Sequence, residues 1–328
     1  MCRHWLLDRN QPDCGRQSGN VDCARPGHSH PGFCRGKSCG MMEVRPQRIA
    51  AFATQALAGR HKQPVRLLAT FARHVYLLVG EGDVGTMLIL SPPSECMTPY
   101  TLMLASWPPV MEEHGPMWCD GQTLQLGEWS IRLQGATTWP SFVGKAHVSW
   151  QNIQTYALLL QDVKKLTHQS DYLAAVADNP TRLDMPGWDG TQLAMGLIRQ
   201  DRDRIFAGAS ACVGLGRGLT PAGDDFLCGV MLAAHQVLPM PDTVCESIVD
   251  SAKGKTTTLS YAFLVSAAQG HVSEDWRSLL LNDMPDQKQD VRLRLLGAVI
   301  QHGYSSGADS LAGFVWALHV LGHGADAI

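Results

Sequence analysis

No stretch of the 328-residue chain approaches the roughly 20 consecutive apolar residues that a helix needs to cross a bilayer. The longest apolar segments, such as 87–90 and 156–160, are the size of core elements, so no membrane partner is expected. There is also no run of basic residues. Twenty-seven Lys and Arg against 30 Asp and Glu leave a formal net charge of −3, which argues against nucleic acid as a partner. His-Glu-x-x-His and Cys-x-x-Cys are both missing, so neither a zinc hydrolase helix nor a zinc knuckle is signalled. What remains is the composition of a globular chain, 45% hydrophobic and long enough for two modest domains or one large one.

Cysteine is unevenly placed. Cys2, Cys14, Cys23, Cys34 and Cys39 crowd the first 39 residues; Cys96, Cys119, Cys212, Cys228 and Cys245 are scattered, as free thiols of a cytoplasmic protein are. Residues 1–40 hold many Cys, Arg, Gly, Pro and His and almost no apolar periodicity. Cys23, His28, His30, Cys34 and Cys39 could be imagined as a zinc module. Without a knuckle, the preferred reading is a disordered or spurious extension, with the true start at Met41 or Met42.

Beyond that point the period of the apolar residues changes twice. A helix is expected over 46–58, stopped by Gly59. Residues 75–79 and 86–90 read as strands around a turn at Gly80-Glu81-Gly82-Asp83. Residues 123–126 and 129–133 alternate around Gly127-Glu128 as a hairpin does. From Gln151 the period is helical, with helices expected over 191–211 and near 224–237, 242–252, 257–268, 288–301 and 307–321. The fold class is therefore α+β: a β-rich domain over 41–150, a small barrel or sandwich, followed by a mainly helical domain over 151–328.

The chemistry centres on Gly214-Leu215-Gly216-Arg217-Gly218-Leu219-Thr220-Pro221-Ala222-Gly223-Asp224-Asp225. Thr220 suits an N-cap and Pro221 a first helical position, so a glycine-rich loop feeds a helix. Gly214, Gly216, Gly218 and Gly223 would let backbone N–H groups approach a ligand. A helix N-terminus adds donors and partial positive charge for an anion. The spacing fits neither a P-loop nor a dinucleotide fingerprint. Asp224 and Asp225 could hold Mg²⁺, orient a substrate amide or take a proton; equally, they could merely complement the helix dipole. Gly303-Tyr304-Ser305-Ser306-Gly307-Ala308-Asp309 repeats the design, with Ser306 and Asp309 spaced as a capping box. Asp224, Asp225 and Asp309 are the candidate catalytic residues. Gly214, Gly216, Gly218, Thr220, Gly223, Ser305, Ser306 and Gly307 are candidates for substrate binding. The metal is left open, with Mg²⁺ the one candidate cofactor. His302, directly before the second motif, stands out over His235 and His319. Lys253 and Lys255, with Thr256 and Thr257, could meet a phosphate.

The stretches GLGRGLTPAGDDFLCGVMLAA and HGYSSGADSLAGFVWAL resemble the two signatures of the AllH family, a bacterial family long labelled as a domain of unknown function. The Thr/Ser-rich patch 256–261, the segment 267–270 and the strand pair 122–134 are similar to that family too. The likeness runs from about Gln122 to the C-terminus. It departs from the family pattern at Ala222-Gly223, where a Ser-His pair is expected, which bears on the substrate. The resemblance implies a subunit of an oxamate carbamoyltransferase, working beside other subunits in allantoin nitrogen catabolism. It implies a small anionic substrate such as carbamoyl phosphate. A non-catalytic assembly or regulatory subunit is the alternative.

Overall fold

The most apolar runs of the N-terminal half become the middle of a sheet, as residues buried on both faces must. In the computed structural model, which describes residues 42–59, 61–81, 85–107, 115–144, 153–181, 183 and 188–324, the strands are β1 (Met42–Val44), β2 (Pro46–Ala50), β3 (Gln63–Thr70), β4 (Val75–Val79), β5 (Thr86–Ser91), β6 (Thr101–Leu104), β7 (Met117–Cys119), β8 (Thr123–Leu126), β9 (Trp129–Arg132) and β10 (Thr137–Trp139). They form one curled sheet in the order β1-β9-β8-β7-β3-β4-β5-β6-β2-β10. The pairs β1–β9, β5–β6 and β2–β10 are parallel and the others antiparallel.

Alternation decides which core each side chain enters. Val75, Leu77 and Val79 on β4 and Leu88 and Leu90 on β5 join the core of the sheet, with Leu124 and Ile131. The intervening Tyr76, Met87 and Ile89 face the other way, into a small cluster with Phe52, Tyr100, Leu259 and Phe263. Leu259 and Phe263 belong to a helix, so this cluster is where the helical layer seats on the sheet.

The helices are α1 (Ala51–Leu57), α2 (Ile153–Val163), α3 (Asp171–Asp178), α4 (Thr191–Arg199), α5 (Arg202–Cys212), α6 (Ala222–Val237), α7 (Asp242–Ala252), α8 (Thr258–Ala268), α9 (Glu274–Leu280), α10 (Gln289–Ile300) and α11 (Ser306–His323). α6 and α11 are buried on nearly every side. A helix apolar all round must sit at the centre of a bundle, and these two form the axis around which the others pack. The α+β class with a β-rich first half and a helical second half is what the periodicity predicts.

Two local expectations need correction, and two helices are additional. Residues 46–58 are not one helix: 46–50 pair with β6 and β10 as strand β2, and only 51–57 are helical. Alanine propensity there is overruled by sheet pairing. Residues 191–211 break at Gln200, which takes the left-handed conformation (φ 52°); Asp201 then caps α5 by accepting from the N–H groups of Asp203 and Arg204. A polar residue able to cap outweighed the continuous apolar period. Helices α3 and α9, both opened by capping serines, were not anticipated. The expectations for residues 1–40, and for Gly82 and Asp83, lie outside the described residues.

Candidate functional site

α6 and α11 meet backbone to backbone. A Cβ at Gly229 would stand 1.8 Å from the Ser310 carbonyl oxygen, and one at Gly313 1.8 Å from that of Phe226. Neither distance is possible, so glycine is required at both positions. This contact brings the first turns of the two helices together, and with them both glycine motifs. Thr220 Oγ1 lies 2.9 Å from Ser306 Oγ.

The expected caps do not form. Pro221, not Thr220, occupies the N-cap position of α6, and its side chain caps nothing. Ser306 is the first residue of α11, behind Ser305, so no Ser306–Asp309 capping box exists. The hydroxyls are used across the helix pair instead, which no single-helix motif can signal.

The three aspartates are buried and have separate tasks. Asp224 is fully buried and accepts three hydrogen bonds, from Gly214 N–H at 2.9 Å, Ser260 Oγ at 2.7 Å and Thr256 Oγ1. It ties the glycine loop to the start of α8. Asp225 is 8% exposed and receives the hydroxyls of Ser306 and Thr220, but its Oδ2 has no partner among the described residues. Burial raises its pKa well above the ordinary carboxylate value, and the negative charge of Asp309 raises it further. Asp309 is 2% exposed; Ser170 Oγ donates to its Oδ1 at 2.5 Å, while its Oδ2 likewise lacks a partner among the described residues. Burial raises its pKa too, against the opposing hydrogen bonds of Ser170 and Ser305. Two buried acids with one orphaned oxygen each, the charge of Asp309 acting on Asp225, are unusual outside functional sites.

The glycines divide likewise. Gly223 and Gly307 are packing residues: a Cβ would come 2.1 Å from the Cys212 carbonyl and 1.8 Å from that of Val299. Gly214, Gly216 and Gly218 have φ of 76°, 109° and 111°, where other residues would be strained. The loop closes on itself, with Gly223 N–H donating to Leu215 O at 2.9 Å and both Asp224 and Asp225 N–H to Pro221 O. The α6 terminus is thus largely satisfied internally. The N–H groups of Gly216, Arg217, Gly218 and Leu219 have no partner among the described residues, and these four are exposed. Free donors for an anion therefore sit in the loop tip, with Arg217 between them. Lys255 Nζ lies 3.0 Å from Ser210 Oγ, and the Lys255 carbonyl oxygen would be 3.1 Å from a Cβ at Gly214.

The other candidates separate clearly. His235 Nε2 is 3.0 Å from Ala268 O and its pKa is lowered by burial; His319 is buried against Tyr156. Cys212 is fully buried, and burial drives its thiol pKa upward, so it is no nucleophile. Gly303-Tyr304-Ser305-Ser306-Gly307 has the spacing of a nucleophile elbow, as does 36–40 outside the described residues. The former joins helix α10 to helix α11, without the strand such an elbow needs. Sequence reading missed Ser170 and Ser260, which hold the acids. Ser260 is marked only as part of the Thr/Ser-rich patch 256–261, and the one signal for Ser170 is that it caps α3.

Residues 212–318 match the family model described as oxamate carbamoyltransferase subunit AllH, a span that contains both glycine motifs and all three aspartates. The chain is AllH-like over that span. No curated protein and no solved structure matches the chain significantly. Among the described residues no helix is long and apolar enough to cross a membrane.

Proposed function

We propose that this AllH-like chain is a subunit of a carbamoyltransferase that binds a small phosphate-bearing anion, of the carbamoyl phosphate type, where the 214–220 loop meets the 303–309 stretch. One observation carries the reading: four exposed residues whose N–H groups have no partner among the described residues, on a loop held by positive-φ glycines and carrying Arg217, run directly into the Thr220–Ser306 contact beside Asp225. Backbone donors and a guanidinium suit a phosphate.

In transfer from carbamoyl phosphate to an amide acceptor, the acceptor nitrogen attacks the carbamoyl carbon. The C–O bond to phosphate breaks, phosphate leaves, and one N–H proton must go to a base. Asp225 fits the last role. Its raised pKa brings a carboxylate closer to the working pH, where a general base is most useful. Asp309 sustains that shift, and Asp224 fixes the loop. The loop N–H groups would stabilise charge on the departing phosphate. Mg²⁺ could join through the orphaned Asp225 and Asp309 oxygens, since hard carboxylate oxygens are its usual ligands.

A second reading, a non-catalytic assembly subunit, is favoured by Leu219 and Tyr304, 45% and 83% exposed on the two motifs themselves. Large apolar and aromatic side chains at such exposure suit a partner surface. Calorimetric titration of the isolated chain with carbamoyl phosphate separates the two. Saturable binding lost in Arg217→Ala supports the first. No binding by the isolated chain, together with oxamate-dependent turnover of the co-purified complex that Asp225→Asn leaves intact, supports the second.

A further inference from the structure

A second constellation lies outside this site. Cys96 follows β5, Asp275 is in the first turn of α9 and His302 follows α10, yet one ligand atom from each falls within 4.8 Å of the others. His302 Nδ1 is 3.5 Å from Asp275 Oδ2. We propose that Cys96, Asp275 and His302 form a zinc site with three protein ligands and an open fourth position.

The donor set selects the metal. One thiolate, one imidazole and one carboxylate are ligands of a borderline ion; Mg²⁺ and Ca²⁺ take oxygen. Zinc bonds of about 2.0–2.3 Å in a tetrahedron put ligand atoms roughly 3.3–3.7 Å apart. The Asp275–His302 pair, at 3.5 Å, already meets that spacing, and the Cys96 Sγ lies within 4.8 Å of both. All three residues are half-buried, so the cluster is not sealed from solvent.

The backbone holds the ligands in place. Glu274 N–H donates to Met97 O at 2.8 Å, and Met97 N–H donates back to Glu274 Oε2 at 3.3 Å, so the residues next to Cys96 and Asp275 are clasped to each other. Arg48 pins Glu274 Oε1 at 3.1 Å. His302 is placed by its own N–H on Val299 O at 3.1 Å and by Gly307 N–H on its carbonyl at 3.0 Å. Glu95 is occupied by Arg73 at 2.5 Å and His74 at 3.7 Å, so it is not a competing ligand. Binding exchanges the Cys96 S–H for an S–Zn bond and releases that proton to solvent, so zinc affinity should rise with pH. The alternative is a metal-free cluster in which Asp275 accepts from the Cys96 thiol and faces His302.

The test uses the full chain, stripped with a chelator and titrated with Co²⁺ and with Zn²⁺. Wild type should bind one equivalent of Co²⁺ at this site with thiolate charge-transfer and tetrahedral d–d absorption, displaced by Zn²⁺. Cys96→Ser should abolish the charge-transfer band, and His302→Ala and Asp275→Asn should weaken Zn²⁺ binding by about 100-fold or more. Dependence on His302 and Asp275 as well as Cys96 separates this site from any held by the N-terminal cysteines alone. Circular dichroism of the stripped variants guards against misfolding, and Asp275→Asn, the mildest change, serves if Cys96→Ser does not fold. Spectra and affinities identical in wild type and all three variants, or no Co²⁺ bound, would overturn the proposal.

Discussion

Thr220 and Ser306, 86 residues apart in sequence, place their hydroxyl oxygens 2.9 Å apart, and both hydroxyls reach the carboxyl group of Asp225. The two glycine motifs are thus two halves of one arrangement, joined through an acid.

Asp225→Asn should raise stability and remove function together. The folded-state pKa of Asp225 lies above the unfolded value, so the folded chain binds that proton more tightly. Its contribution is full below the unfolded pKa and declines as pH rises through the folded one. Asparagine cannot ionise. The variant's melting temperature should therefore gain on wild type as pH increases, while turnover of the assembled complex falls about 100-fold or more, roughly 2.7 kcal/mol of transition-state stabilisation. Melting curves from pH 5 to 9 beside turnover assays check both. A variant that is less stable at every pH would contradict this account.

Asp224→Asn should behave in the opposite way. A carboxylate accepting three hydrogen bonds loses some of them to an amide whose NH₂ faces donors. A loss of about 2–4 kcal/mol is expected, since bonds to a charged acceptor are worth about 1.5–3 kcal/mol each and only part are lost. Chemical denaturation measures it. Hydrogen exchange should also speed up at Gly214, whose N–H is then unheld.

Glycine substitutions sort by position. Gly313→Ala should cost several kcal/mol or prevent folding, because its Cβ meets the Phe226 backbone. Gly297→Ala, with nothing within 4 Å on α10, should stabilise by about 0.5–1 kcal/mol. Equal melting temperatures for the two variants would refute the close crossing of α6 and α11.

Acid should destabilise the chain through buried histidines. His271, whose Nδ1 lies 2.8 Å from Ser141 Oγ, and His319, against the His323 ring, both have pKa values lowered to about 4, mainly by burial. A lowered histidine pKa means that the neutral form is favoured in the fold. Stability is lost as pH falls from 6.5 towards 4, by at most about 1.4 kcal/mol per pH unit for each group. The slope of unfolding free energy against pH should be shallower in His271→Gln than in wild type; an unchanged slope would exclude the residue.

Legibility in the sequence followed the range of the forces. The hairpin at Gly127 and the long helices α6 and α11 were readable because their period and turn residues are local. The burial of Asp224 and Asp309 was not, since both look like ordinary first-turn acids until Ser260 and Ser170 arrive from other helices. Thr220 and Ser306 read as substrate-binding candidates and as caps, and the cap reading fails because a hydroxyl's partner across a helix pair leaves no mark in spacing. Cys96 and Asp275 had no sequence signal at all; only the seating of α9 on the sheet joins them to His302.

The backbone contact of α6 and α11 has a mechanical meaning. Side chains between helices act as a compliant layer; carbonyl against glycine does not. The two helices therefore move as one strut, and their acids keep a fixed separation under load. If the proposed anion binds here, the give it needs falls on the exposed hoop of residues 216–219, flanked by Gly214 on Asp224 and Thr220 on Ser306 and tied at Leu219 O by the Thr257 hydroxyl. Stiffening that hoop should slow ligand exchange without moving the acids.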